Sequence, residues 1–220
     1  MAKNTNDFLK DENNNEINQL KKAKQEIAEA QYKIGDLYLG EGFVEDNEKE
    51  AVKWWRKSAE LGNPQAQFTL GECYYYGNFG VKKDLKKAAA YYQKAAEQGL
   101  AKAQLNLGIA YDIGEGVKKD KAEAAKWYQK AADQGNPGAQ CSLGDFYWEG
   151  VVVEENVVKA AELYRKAADQ GYANGQFSLG FCYEKGYGVE QNKAEAAKLY
   201  RKAIKQGDED AKDALKRLGK

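Results

Sequence analysis

Apolar and polar residues along this chain follow a helical period, and the pattern returns every 36 residues, once with a single insertion. Five units begin at Ala30, Ala66, Ala103, Ala139 and Gly175, and each opens with that small residue followed by Gln31, Gln67, Gln104, Gln140 or Gln176. Further on, an apolar residue precedes a glycine and a tyrosine follows: Ile34-Gly35-Tyr38, Leu70-Gly71-Tyr74, Leu107-Gly108-Tyr111, Leu143-Gly144-Tyr147 and Leu179-Gly180-Tyr183. On a helix the apolar residue and the tyrosine lie four apart and share one face. Glycine inside a helix costs up to ~1 kcal/mol against alanine, so five repeats of it require a packing reason. Direct approach of a neighbouring helix onto bare backbone is the expected one.

A glycine-rich turn comes next, as in Gly114-Glu115-Gly116-Val117 and Gly186-Tyr187-Gly188-Val189. Without a preceding strand or the lysine of a nucleotide loop, these glycines read as chain reversals. A second helix is expected to start at a capping side chain, Asn47, Asp84, Asp120, Asn156 or Asn192. An alanine follows in each unit (Ala51, Ala88, Ala124, Ala160, Ala196), and four residues later an aromatic (Trp55, Tyr92, Tyr128, Tyr164, Tyr200). That small-then-large spacing lets helices interlock. Gly62, Gly99, Gly135, Gly171 and Gly207 stand where a left-handed C-cap belongs. The resulting architecture is all-α, a right-handed α-solenoid of about five helix-turn-helix repeats with capping helices at both ends. Residues 1–15 read as a disordered polar N-terminus and 16–29 as a capping extension carrying Ile17, Leu20, Ile27 and Ala28. The repeats occupy 30–210, and 211–220 form the C-terminal cap, with Leu215 in the core.

The pattern A-x-x-x-L-G-x-x-Y-x-x-G-x-G-V followed by D-x-x-K/E-A-x-x-x-Y-x-K-A-A-x-x-G, clearest in Ala103 to Gly135, resembles the Sel-1-like repeat family, a relative of the tetratricopeptide repeat. Its departures are a shifted first turn at 40–44, a longer second turn at Asn78-Phe79, and Val152 in place of a glycine. Some members carry paired cysteines and are exported; this chain lacks such pairs. The resemblance implies scaffold or adaptor work through a concave surface, including regulation or immunity-type inhibition of another protein. Two other readings are a cell-wall or β-lactam type hydrolase or binder, and a self-assembling structural scaffold.

Charge and chemistry narrow these choices. Lys plus Arg balances Asp plus Glu at 34 each, so the long-range positive field that binds phosphate backbones is missing and nucleic acid is not the expected partner. No apolar run approaches the ~20 residues of a membrane span, and the polar start carries no export signal, so a cytoplasmic location without membrane association is expected. A chain trimmed of its signal would read the same. The sequence contains no histidine, which removes His-based nucleophile pairs, general bases and metal ligands. Cys73, Cys141 and Cys182 match no metal or redox spacing, and Ser142-Leu143-Gly144 lacks the S-x-x-K nucleophile motif. The expectation is a non-enzyme with no catalytic residue, cofactor or metal, monomeric, bound by a protein or peptide.

In tetratricopeptide-like solenoids the first helix of each repeat lines the groove, and its positions seven, ten and eleven point away from that helix's own core face. The candidate partner-binding residues there are Tyr75, Tyr76, Ile109, Asp112, Ile113, Asp145, Trp148 and Phe181. Asp36, Glu72, Glu149 and Glu184 accompany them. Aromatics in a groove are typical anchors, and acidic neighbours favour a partner segment bearing Lys or Arg.

Overall fold

The computed structural model describes residues 5–40, 47–152 and 154–219, and among these the chain forms eleven helices and no strand. It divides into two compact units, 1–98 and 99–220.

The first unit holds α1 (Thr5–Leu37), α2 (Asn47–Glu60), α3 (Pro64–Tyr76) and α4 (Leu85–Glu97), each packed on the next. The α1 helix begins well before Glu16, so residues 5–15 are helical where the sequence suggested a disordered segment; 1–4 lie outside the described residues. No glycine or proline interrupts the chain ahead of Gly35, so the helical hydrogen-bond ladder continues backwards. Of the expected capping extension, only Ala28 enters the core, at 2% exposure, while Ile17, Leu20 and Ile27 remain exposed. Ala28 is held because its carbonyl accepts the buried Ser58 hydroxyl at 2.6 Å. The shifted turn at 40–44 falls largely outside the described residues. In the longer second turn, Phe79 adopts φ +52° and meets the Trp55 ring edge-on at 5.8 Å.

The second unit holds α5 (Ala101–Ile113), α6 (Lys121–Asp133), α7 (Pro137–Glu149), α8 (Val157–Asp169), α9 (Ala173–Lys185), α10 (Lys193–Ile204) and α11 (Glu209–Arg217). Consecutive helices pack together, and α7 also touches α9. Asp84, Asp120, Asn156 and Asn192 are N-caps, accepting from the amides of Lys87, Glu123, Lys159 and Glu195. Asn47 differs, standing inside α2. Asn63 and Asn136 cap α3 and α7, each with proline at the first helical position.

The repeated helical glycines are recesses for aromatic rings. A Cβ on Gly35 would stand 2.6 Å from the Trp55 ring. On Gly71, Gly108, Gly144 and Gly180 it would meet Tyr92, Tyr128, Tyr164 and Tyr200 at 2.6–2.8 Å. The expected helix-on-backbone contact is secondary, with the Ala51 carbonyl oxygen next at 3.1 Å and those of Ala88 and Ala124 at 3.4 Å. The ring fills the space that a side chain would need.

A second device ties repeat to repeat. Gln67, Gln140 and Gln176 are buried and receive the side-chain amides of Gln98, Gln170 and Gln206 at 2.7–2.9 Å. Gln104 receives Gln134 in the same way, at 2.7 Å. Gln67 and Gln140 pass the link on by donating to Ala59 and Ala132, carbonyls of the preceding repeat. In the first repeat, Leu61 occupies the donor position, and the Gln31 Oε1 is buried without a partner.

Candidate functional site

The strongest candidate surface lies in the second unit, where α7 and α9 run side by side. Trp148 stands in the last turn of α7 and Phe181 mid-way along α9, with ring centroids 6.0 Å apart. Tyr187, from the turn after α9, completes the cluster at 5.1 Å from Trp148 and 6.0 Å from Phe181. Its turn is pinned at Gly188, where φ is +65° and a Cβ would lie 2.2 Å from the Val157 carbonyl oxygen. Only glycine fits so close an approach.

Trp148 and Phe181 line a cleft of about 240 Å³ together with Asp145, Tyr164 and Phe177. A second cleft, about 260 Å³, shares Asp145, Phe177 and Ser178 with it and continues to Asp208 and Asp210 at the start of α11. One end of this surface is therefore aromatic and the other acidic. The acidic end also contains Cys141 and Ser142, but no lysine or arginine is among its lining residues.

Acids at the groove positions have a first duty to buried aromatics. Tyr164 donates to Asp145 Oδ1 at 2.7 Å, Tyr200 to Glu184 Oε2 at 2.8 Å, and the Trp55 indole to Asp36 at 2.9 Å. The Asp112 and Ser142 side chains stand beside the Tyr128 hydroxyl. Burial, together with the adjacent carboxylates, pushes the Tyr128, Tyr164 and Tyr200 hydroxyls well above the ordinary tyrosine range, so each remains a donor at neutral pH. Asp145 keeps solvent access, yet the atoms packed around it and the charges of Glu149 and Asp112 raise its pKa against the lowering effect of the Tyr164 bond.

Glu184 departs from the groove expectation. It is 5% exposed, enclosed by Tyr200 from α10 and approached by Lys185 at 2.9 Å and Arg217 of α11 at 3.7 Å. Burial raises its pKa, but the hydrogen bonds from Lys185 and Tyr200 and the charges of Lys185 and Arg217 outweigh it, leaving a net lowering. It is an internal anion of the C-terminal end.

The other candidates are dispersed. Ile109 and Ile113 are exposed on α5, and Asp112 approaches Lys121 at 4.0 Å. In the first unit, Tyr75 and Tyr76 meet edge-on at 5.0 Å, with the Lys83 ammonium 5.5 Å from the Tyr75 ring. Cys73, Cys141 and Cys182 are buried and unpaired. Burial pushes their thiols up to about 11, 12 and 11, which leaves them protonated and poorly nucleophilic at neutral pH. Among the described residues no group of three potential ligands could hold a metal ion, and no helix is long and apolar enough to cross a membrane.

Besides Asp208 and Asp210 at the cleft, sequence reasoning missed two sets of residues. Tyr187 read as part of a turn, although an aromatic between two turn glycines was its visible signal. The donor glutamines Gln98, Gln134, Gln170 and Gln206 also recur visibly before the C-cap glycine.

Comparison with known proteins places this geometry. The Sel1 repeat model matches residues 28–63, 64–100, 101–136, 137–172 and 173–208. No curated protein matches the chain. Among solved structures, c5321, a protective antigen of uropathogenic Escherichia coli with an SLR fold, is 42% identical with a TM-score of 0.79. That match covers 90% of this chain and 42% of the antigen, so the chain spans less than half of the antigen's length. A Sel1 repeat protein from Oxalobacter formigenes is 35% identical with a TM-score of 0.81, over 89% of this chain and 78% of the other. Immunity protein Pa5087 from Pseudomonas aeruginosa is 27% identical with a TM-score of 0.53, over 84% and 67%. With five Sel1 segments matched across most of its length and a fold shared with these structures, the chain is an α-solenoid of the Sel1 repeat family.

Proposed function

We propose that this protein is a binding adaptor that captures a protein or peptide on the first-helix face of its repeats. The observation that carries the reading is the Trp148–Phe181–Tyr187 cluster, two of whose rings line a cleft. Rings of this size offer large contact area at low conformational cost, which makes them common anchors. Membership in the Sel1 family supports it, since such repeats generally act as protein-interaction scaffolds. Similarity to an immunity protein is consistent with a role in which binding itself is the activity. Raised thiol pKa values and a sequence without histidine give a nucleophilic mechanism no support.

The test compares wild type with a Trp148→Ser/Phe181→Ser variant in capture from a lysate of the source organism, with circular dichroism as a check on folding. A protein retained by wild type and lost by the folded variant supports the adaptor reading. Equal capture by both sinks this cleft as the site.

A further inference from the structure

The two joined clefts of the second unit differ in chemistry, and that difference constrains what fits them. We propose that their occupant is a peptide segment carrying an arginine or lysine beside a large apolar residue. The apolar side chain docks against Trp148 and Phe181, and the cation enters the end lined by Asp145, Asp208 and Asp210. This rests on the adaptor reading and names its partner class.

Charge complementarity is the argument. Several acids elsewhere on this chain pair with a lysine three residues away, among them Glu50 with Lys53, Glu123 with Lys126, Glu195 with Lys198 and Asp213 with Lys216. Asp145, Asp208 and Asp210 form no ion pair with any lysine or arginine among the described residues. Asp145 uses Oδ1 for Tyr164, and Asp208 uses Oδ1 to cap α11 through the Ala211 amide. Each retains a second oxygen. The whole chain is neutral, so this concentration of acids without a side-chain cation is local, with only the α11 N-terminus set against Asp208 and Asp210. It lies against an aromatic wall, where water is partly displaced and charge is less screened than in bulk solvent. An extended peptide advances ~3.3 Å per residue, so neighbouring side chains can reach two clefts that share Asp145, Phe177 and Ser178. Arginine is the better fit of the two cations, because its planar head pairs with carboxylates and also stacks on rings.

The test uses short synthetic peptides with blocked termini, each bearing one Arg adjacent to, or one residue away from, a Trp or Leu. Matching peptides carry citrulline, a neutral isostere, in place of Arg. Binding is followed by fluorescence anisotropy to wild type, to Trp148→Ser, and to Asp145→Asn/Asp208→Asn/Asp210→Asn. The asparagines retain the Tyr164 acceptor and the helix cap while removing charge. The expected result is binding of Arg peptides that weakens about ten- to a hundredfold with citrulline or with the triple Asn variant, and that falls with added salt. Equal binding of citrulline peptides, lost only in Trp148→Ser, would overturn the basic-partner proposal and leave the adaptor reading standing. Failure of every peptide, charged or neutral, overturns the basic-partner proposal, and the lysate capture comparison then decides the adaptor reading by itself.

Discussion

The Tyr164 ring rests on Gly144 so closely that an added Cβ would lie 2.6 Å from Cε1, while its hydroxyl reaches past that glycine to Asp145 at 2.7 Å. One side chain thus fills a recess in the core and holds a residue of the candidate cleft. Gly144→Ala should force the ring aside and cost ~1–3 kcal/mol, the usual penalty for overpacking. Urea denaturation gives the number. The double variant Gly144→Ala/Tyr164→Leu should lose less than the sum of the two single changes, because they share one contact. Strict additivity would show that the ring and the recess are energetically independent.

The orphaned Gln31 gives a prediction of the opposite sign. Leu61→Gln places a donor where Gln98, Gln134, Gln170 and Gln206 stand in the other repeats, and should stabilise the fold by about 1 kcal/mol through one restored hydrogen bond. The reverse change, Gln170→Leu, leaves the Gln140 acceptor unmatched and should cost ~1–3 kcal/mol. Thermal melts of the two variants should move in opposite directions. A Gln170→Leu melt at or above that of wild type would show that the ladder is not a stabilising link, and a fall in Leu61→Gln would show that a donor there does not satisfy Gln31.

Glu184 should make the protein sensitive to acid. Its folded pKa lies below the ordinary 4.5, so its stabilising contribution is present above that value and is lost as pH falls through the folded pKa. In Glu184→Gln the acid-sensitive part of the stability curve should shrink, with lower stability at neutral pH. An unchanged curve would remove Glu184 from the account of the C-terminal end.

Asp145 works in the other direction. Its folded pKa lies above the ordinary 3.8, so the unfolded chain gives up its proton first and stability declines as pH rises from about 3.8 through the folded value. Asp145→Asn keeps an oxygen for Tyr164 and removes the charge, so above this window it should fold at least as stably as wild type. A marked loss of stability would mean that the carboxylate's charge stabilises the fold.

The buried thiols should resist alkylation. With pKa values pushed up to about 11, 12 and 11, the thiolate is scarce at neutral pH and the sulfurs are shielded. A thiol-reactive dye should therefore label native protein no faster than it opens, and all three cysteines at once in denaturant. Rapid labelling of native Cys141, which lines the polar cleft, would contradict this.

Much of the fold was legible because its signals are local. The starts of α4, α6, α8 and α10 followed from Asp and Asn caps, and their stops from the glycines just beyond. The glycine recesses were visible as a spacing, but their occupants were not, since Tyr164 lies 19 residues from the Asp145 it bonds and only the fold brings them together. Glu184 was misread for the same reason. Its place on α9 points to a groove, but Tyr200 and Arg217 arrive from two later helices and enclose it. The cleft was half legible: Trp148, Phe181 and Asp145 could be picked from helix positions, whereas Asp208 and Asp210 stand at the start of α11 and reach the cleft only through the fold.

Tyr187 carries one more consequence. Two walls of the aromatic cluster belong to helices whose spacing is dictated by the core, but the third belongs to a connecting turn that Gly188 fastens to the carbonyl of Val157. Were a partner to dock on this cluster as proposed, exchange of a single turn residue would alter its selectivity without disturbing the glycine recesses or the glutamine ties beneath. The scaffold separates what must stay fixed for the chain to fold from what is free to vary.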